Sequence, residues 1–574
     1  MKIKLPRRAI AAVASLGLAL VAVPTVAPAA NAADACGLGE TCTGALTGPT
    51  YGDSTFEIRM PEKFNGTVLL YSHGYRVNYP VPAPIALQAR WDQNPYYSPL
   101  EVPGVGAAYV GNDLPQVAPD PQTAEQLLSQ GYALAGAGYS EQGWAAAEGV
   151  EAGEMLIQYI NSGAIEGVDE ILAWGDSLGA VVTQALIQRN PGKIAGSLPM
   201  CGALEGPEQA FNMAMTALFS WKTLIAPDLK LVNYTPGTAG YGEAVGDLAT
   251  IFGTLQEIQA NPSLVSETGF PVGLANLLAG LLAGLPTQAP TYDGVSVNPA
   301  IAELGLLGAR AEGYSPLTAG QNSAVAMLSN VANTAIIGVM GRYDLEMRAR
   351  QAAGIPGAQS ANFSDNVPVV YSDLLPLEQR RQFEDTFNSA APGLIDTMLG
   401  ALDRSLGSET ARYPANPAAV EFVRGLPSAE ATYRKPVVMM TTTIDALVPA
   451  GNTYEYYEAV ADTKAAKRAE RRDMLKAVQY YTVPSTPDYT KFEPGAKGPS
   501  ATLSALATGG SGVGHCIFTP AQKVGAVSVL DKLVDAKTPK QVAAAKRAGY
   551  RITDVNRDRL FAPPLLKRPL ATAN

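Results

Sequence analysis

The 574-residue chain holds only two histidines, His73 and His515, and that scarcity narrows its chemistry at once. A hydroxyl nucleophile working near neutral pH needs a base, and imidazole is the usual one. The candidate hydroxyl is Ser177, in Gly175-Asp176-Ser177-Leu178-Gly179. Gly-x-Ser-x-Gly has a mechanical meaning between a buried strand and a helix. The chain turns so sharply there that the Ser is strained, and the small flanking residues make room for it. Its hydroxyl then projects beside a helix N-terminus whose free N–H groups favour an oxyanion. A Gly-rich turn without chemistry is the plainer alternative.

His515 lies in GGSGVGHC, 509–516, a Gly-rich loop near the end of the chain. A base placed after the nucleophile and beyond the last strand fits the order Ser, then acid, then His. The acid should sit at a strand end between them, where it can orient the imidazole. Asp445 does so, just after PVVMMTT at 436–442; Glu205 is the runner-up, and a plain turn or cap Asp is the alternative. His73 precedes the Ser, in Tyr71-Ser72-His73-Gly74-Tyr75 after the apolar run 67–72. That position suits an oxyanion loop, with Tyr75 and Leu178 as backbone donors; a simple turn with a structural His73 is the alternative.

These residues need a scaffold that brings distant loops to one edge. Residues 54–60 alternate and read as an edge strand, while 67–72, 132–137, 170–174, 194–200 and 436–442 read as buried strands. Helical patterns fall at 121–129, 145–161 and 178–189, the last stopped by Asn190-Pro191-Gly192. Strands alternating with helices imply an α/β class with a mostly parallel sheet covered on both faces. From 204 to 434 the alternation gives way to helical patterns and Pro/Gly-rich loops. Within them GLANLLAGLLAGL (273–285) is apolar nearly all round, as a buried helix or a greasy lid would be. Alternation resumes at 436, with a helix near 453–468, a strand at 478–483 and a last helix over 520–534. The basic stretch 547–568 reads as a solvated C-terminal extension.

The first residues read as an export signal. Lys2, Lys4, Arg7 and Arg8 precede an apolar run at 9–23, and Ala30-Asn31-Ala32 is a small-x-small cleavage pattern. The run is shorter than the roughly 20 residues a membrane helix needs. An uncleaved anchor is the alternative, and Arg7-Arg8 matches a twin-arginine signal poorly. Removing 1–32 takes away basic residues only, so the remainder is more acidic than the whole chain, whose formal charge is −10. That excludes nucleic acid as the expected partner, and no later apolar run suggests integral membrane association. Cys36, Cys42, Cys201 and Cys516 allow three pairings in an exported chain. A local Cys36–Cys42 staple is the simplest, leaving Cys201 with Cys516. With so few histidines and no Cys-x-x-Cys, no metal site is expected.

Taken together, Ser72-His73-Gly74, Gly175-Asp176-Ser177-Leu178-Gly179, Ile444-Asp445-Ala446-Leu447-Val448-Pro449 and Gly514-His515-Cys516 resemble the α/β-hydrolase superfamily, and its secreted serine esterases and lipases in particular. The likeness covers about 50–204 and 435–535. It implies the α/β-hydrolase fold, a Ser177–His515–Asp445 triad, hydrolysis through an acyl-enzyme, and no cofactor. With the export signal read at 1–32, the resemblance implies core segments at 33–204 and 435–574 and a large, mainly helical cap at 205–434. Gly175-Asp176-Ser177-Leu178 spells the block of the GDSL hydrolases, but their Asp three residues before the His is replaced here by Gly512. His515-Cys516 is similar to secreted tannases and feruloyl esterases, where that Cys is bonded to one before the Ser. Asp176 occupies that place here, so their calcium site is not carried over. The expected activity is a secreted carboxylic-ester hydrolase for small or polymeric esters of apolar or aromatic character. A secreted serine peptidase with the same triad is the second reading, and a non-catalytic surface protein on this scaffold the third.

Overall fold

The computed structural model describes residues 35–87, 90–261, 264–285, 330–375, 380, 393–430, 432, 435–442, 445, 447–465, 467, 479–483 and 515–552. The expected export signal, residues 286–329 of the expected cap, the glycine run 509–514 and most of the expected C-terminal extension lie outside them.

Eight strands form the main sheet: β1 (Thr41–Thr47), β2 (Asp53–Arg59), β3 (Thr67–Ser72), β7 (Ala133–Ala137), β8 (Glu170–Asp176), β9 (Gly196–Met200), β10 (Val438–Thr442) and β11 (Gln479–Val483). Their spatial order is β1-β2-β7-β3-β8-β9-β10-β11. The pairs β1/β2 and β2/β7 are antiparallel and all other neighbours parallel. This order, with its antiparallel second strand, is that of the α/β-hydrolase fold. β4 (Val81–Pro82), β5 (Tyr97–Val102) and β6 (Gly106–Gly111) make a small antiparallel sheet that the sequence did not announce.

The apolar runs became central strands because both faces are covered. Along β3, Leu69 and Tyr71 share one core with Leu172 and Trp174 of β8. That core also holds Leu127 of α1 (Pro121–Ser129) and Val527 and Leu530 of a helix after the His515 loop. Val68 and Leu70 point the other way, onto Leu156 of α2 (Ala146–Tyr159) and Leu186 of α3 (Leu178–Arg189). The expected edge strand at 54–60 is corrected: β2 is an inner strand, because β1 pairs along its outer side and a Cys36–Cys42 disulfide closes the segment leading into β1.

Between β9 and β10 run α4 (Pro207–Leu224), α5 (Thr238–Ala260), α6 (Val272–Leu282), α7 (Arg342–Ala353), α8 (Leu394–Asp403) and α9 (Pro417–Gly425). The apolar segment at 273–285 is helix α6, and it is buried against α4, where Asn276 Oδ1 accepts from Trp221 Nε1 at 2.9 Å. After β10 come α10 (Ala450–Ala461), α11 (Pro520–Asp535) and α12 (Pro539–Ile552). Val542 and Ala545 of α12 are buried with α11, so this part of the tail belongs to the core. Among the described residues no helix is long and apolar enough to cross a membrane.

Candidate active site

The turn from β8 into α3 is built as the motif requires. Ser177 sits at φ 55° and ψ −123°, a region that a residue with a Cβ seldom enters, at a cost of about 1–3 kcal/mol. Its N–H donates to Met200 O of β9 at 3.0 Å, which pins the turn to the neighbouring strand. Gly179 passes so close to β3 that a Cβ there would lie 2.0 Å from Ser72 O. A Cβ on Gly74 would lie 3.2 Å from Ser177 Cβ, so the loop after β3 runs directly past the serine. Leu178 is the first residue of α3, where backbone N–H groups have no partner within the helix.

Asp445, 1% exposed, follows β10. His515 Nδ1 lies 2.8 Å from its Oδ2 and 3.0 Å from its Oδ1. Oδ1 also accepts from the N–H groups of Leu447 and Val448, each at 2.9 Å, so the carboxylate is held by its own loop. A proton on Nδ1 facing this carboxylate leaves Nε2 as the basic nitrogen. Burial would lower the imidazole's pKa, but the charge and hydrogen bond of Asp445, with a further contribution from Asp176, raise it above 6.5. Cys516, beside His515, is bonded to Cys201 at the end of β9, with Cα atoms 5.5 Å apart. Both half-cystines have positive φ, 58° and 43°. Nε2 lies 3.6 Å from Cys516 Sγ. Among the described residues no hydrogen bond joins Ser177 Oγ to the imidazole, which is common in unliganded sites of this kind.

His73 is different in kind. It is 1% exposed, stacks on Tyr139 with centroids 3.7 Å apart, and its Nδ1 donates to Gly74 O at 2.8 Å. Burial and the charge of Arg76 push its pKa well below 6.5, so it is a neutral structural ring that shapes the loop. Tyr75 follows Gly74, and its buried hydroxyl has no partner. Leu178, the residue after the serine, packs in an apolar cluster with Trp144, Leu204, Phe211 and Val448, and Tyr75 and Ile337 lie against that cluster. Trp144 and Phe211 have centroids 5.6 Å apart.

The structure therefore brings Asp445 and His515 into contact, ties His515 to β9, and places Ser177, Gly74 and Leu178 at the same sheet edge. Sequence reasoning missed Asp176, whose Oδ1 accepts from Tyr71 Oη at 2.7 Å. The register that makes Tyr71 and Asp176 neighbours has no local sequence signal.

No family model matches the chain, and no curated protein matches it. Solved structures with similarity include an esterase from Aspergillus oryzae at 12% identity, covering 77% of this chain and 71% of that one, with a TM-score of 0.28. A rice cell wall degrading esterase, LipA, from Xanthomonas oryzae has 14% identity, coverages of 81% and 85%, and a TM-score of 0.29. Feruloyl esterase B from Aspergillus oryzae has 13% identity, coverages of 77% and 73%, and a TM-score of 0.28. Identities and scores this low carry no argument about substrate.

Proposed function

We propose that the protein is an exported serine hydrolase that cleaves carboxylic esters of apolar or aromatic character, small or polymeric, through an acyl-enzyme. Ser177 Oγ attacks the acyl carbon while His515 Nε2 takes its proton. The backbone N–H groups of Leu178 and Tyr75 hold the oxyanion. The imidazolium then gives the proton to the leaving alkoxide, and the same base activates water for deacylation. Asp445 keeps His515 in the tautomer that leaves Nε2 free and stabilises the imidazolium. No step needs a cofactor.

The observation that carries this reading is the strained Ser177 at a strand-to-helix turn, on the sheet edge that also holds the Asp445–His515 pair. Strain persists where surrounding structure enforces it and function uses it. The apolar cluster of Trp144, Leu204 and Phe211 that packs with Leu178, beside the serine, supports an apolar acyl or alkoxy group. Two disulfides and the basic-then-apolar leader support export. In this reading residues 205–434 form a cap on a core made of 33–204 and 435–574.

Turnover of p-nitrophenyl esters of graded length, against aminoacyl-p-nitroanilides, tests it. Ester cleavage by the wild type that disappears in Ser177→Ala is expected. Cleavage of the anilides alone would make the protein a peptidase, and ester cleavage by Ser177→Ala would remove the serine mechanism.

A further inference from the structure

Asp176 fills the variable position before the nucleophile, and its side chain has no part in the roles above. It is nonetheless held with care. Tyr71 Oη, from the neighbouring strand β3, donates to its Oδ1 at 2.7 Å. The same oxygen lies 3.6 Å from the place a Cβ on Gly74 would occupy, so the carboxylate is on the serine's side of the loop. In the sheet, Asp176 pairs with Met200 of β9. The next residue, Cys201, is bonded to Cys516, the neighbour of His515. Asp176 and the residue beside His515 are thus both fixed to the end of β9, and Tyr71, which holds Asp176, packs in one core with Cys201 and Cys516.

We propose that Asp176 is a second counter-charge for His515: a positioning residue that stabilises the imidazolium formed when Ser177 gives up its proton. It acts through space, whereas Asp445 acts through a hydrogen bond. The inference rests on the assignment of His515 as base. Other charged and titratable groups facing this pair are few. Asp445 faces His515 from the loop after β10, Tyr71 faces Asp176 from β3, Tyr139 lies near Asp176 after β7 with its hydroxyl donated to His73 O, and Lys523 comes from α11. Lys523 is neutralised by Asp120, at 2.7 Å. Burial raises the carboxyl pKa of Asp176, while Tyr71, Lys523 and His515 favour its charged form. Two carboxylates near one imidazole raise its basicity more than one does.

The chain's two histidines make a direct test possible. With carbon-13 in the imidazole rings, the full-length protein shows two ring signals, and that of buried His73 reports an intact fold. Neutralising Asp176 should lower the titration midpoint of His515 by about half a pH unit to one unit. The acid limb of kcat/KM on a p-nitrophenyl ester should move by the same amount. Asp176→Asn and Asp176→Ser should both do this, and Asp176→Glu should restore most of the midpoint. If Asp176→Asn fails to fold, Asp176→Ser is judged by the same criterion. A His515 midpoint that stays at the wild-type value in a folded neutral variant overturns the proposal. Ester turnover surviving in Ser177→Ala would overturn the serine mechanism instead, and the His515 titration would still decide the role of Asp176.

Discussion

Two histidines leave few candidates for the base, and residue order singled out Ser177, His515 and Asp445 as the candidate site, with Glu205 as the other acid; the structure brings Asp445 to His515. One histidine sits in a buried loop before the serine and the other follows the last strand. On the proposed mechanism, Ser177→Ala and His515→Ala should each lower turnover of an activated ester by about 10⁴ or more, and the double mutant should lose little beyond either single. Asp445→Asn should cost about 10³ to 10⁴, since the wrong tautomer is then favoured. Steady-state kinetics on the purified variants check all of these. The glycines test packing instead. A Cβ at Gly179 would meet the backbone of Ser72 at 2.0 Å, and backbone gives way only by shifting a strand. Gly179→Ala should therefore lower thermal stability as well as activity. Gly74→Ala, whose Cβ would press on Ser177 Cβ at 3.2 Å and otherwise make ordinary contacts with Asp176 at 3.5 and 3.6 Å, should lower activity far more than melting temperature. The Tyr71–Asp176 contact was not legible, because it depends on the register of two strands about 100 residues apart.

At the scale of elements, the long apolar runs announced β3, β7, β8, β9 and β10, since strands buried on both faces leave no polar side to blur the pattern. β1, β5 and β6 passed unnoticed because their residues are mostly exposed or half-buried and carry little alternation. The loop that presents His515 depends on its covalent tie. Cys201–Cys516 anchors it to the strand beside the nucleophile turn, so less conformational entropy is lost when the imidazole is presented. Cys201→Ala with Cys516→Ala should cost roughly 2–4 kcal/mol of stability and also lower kcat. Denaturant melts and kinetics on the same samples separate the two effects, and unchanged kcat would limit the bond to a structural role. In the proposed mechanism the tethered loop and Asp445 together set the base, and the pH profile reads both. With the His515 pKa raised above 6.5, the acid limb of kcat/KM should have its midpoint above that value. The sign for stability follows from the same shift. The raised imidazole contributes stability below pH 6.5, and this is lost as pH climbs through its folded pKa.

At the scale of the whole molecule, the half-buried cation Arg348 ties the helices between β9 and β10 to the segment after β7 and the start of α2. Arg348 of α7 pairs with Asp344 on its own helix at 3.2 Å and with Glu141 at 3.0 Å, and it also contacts Glu148 at the start of α2. It donates to Gln142 O at 2.6 Å. Asp344 in turn accepts from Asn78 Nδ2 at 2.9 Å, beyond the loop that carries Gly74 and Tyr75. Removing the cation strands two buried carboxylates, so Arg348→Met should destabilise by about 3–5 kcal/mol, read by denaturant melts. The contacts of Arg348 with Glu148 and Gln142 are not visible in sequence, since they span 200 and 206 residues, whereas Asp344–Arg348 is an ordinary i,i+4 pair. The central claim is that Ser177 is a nucleophile, and covalent labelling tests it most directly. The folded protein should react with a fluorophosphonate at one-to-one stoichiometry, with the adduct mapped by peptide mass spectrometry to Ser177 and absent after Ser177→Ala. A folded wild type that stays unlabelled, or an adduct on another residue, would contradict the account.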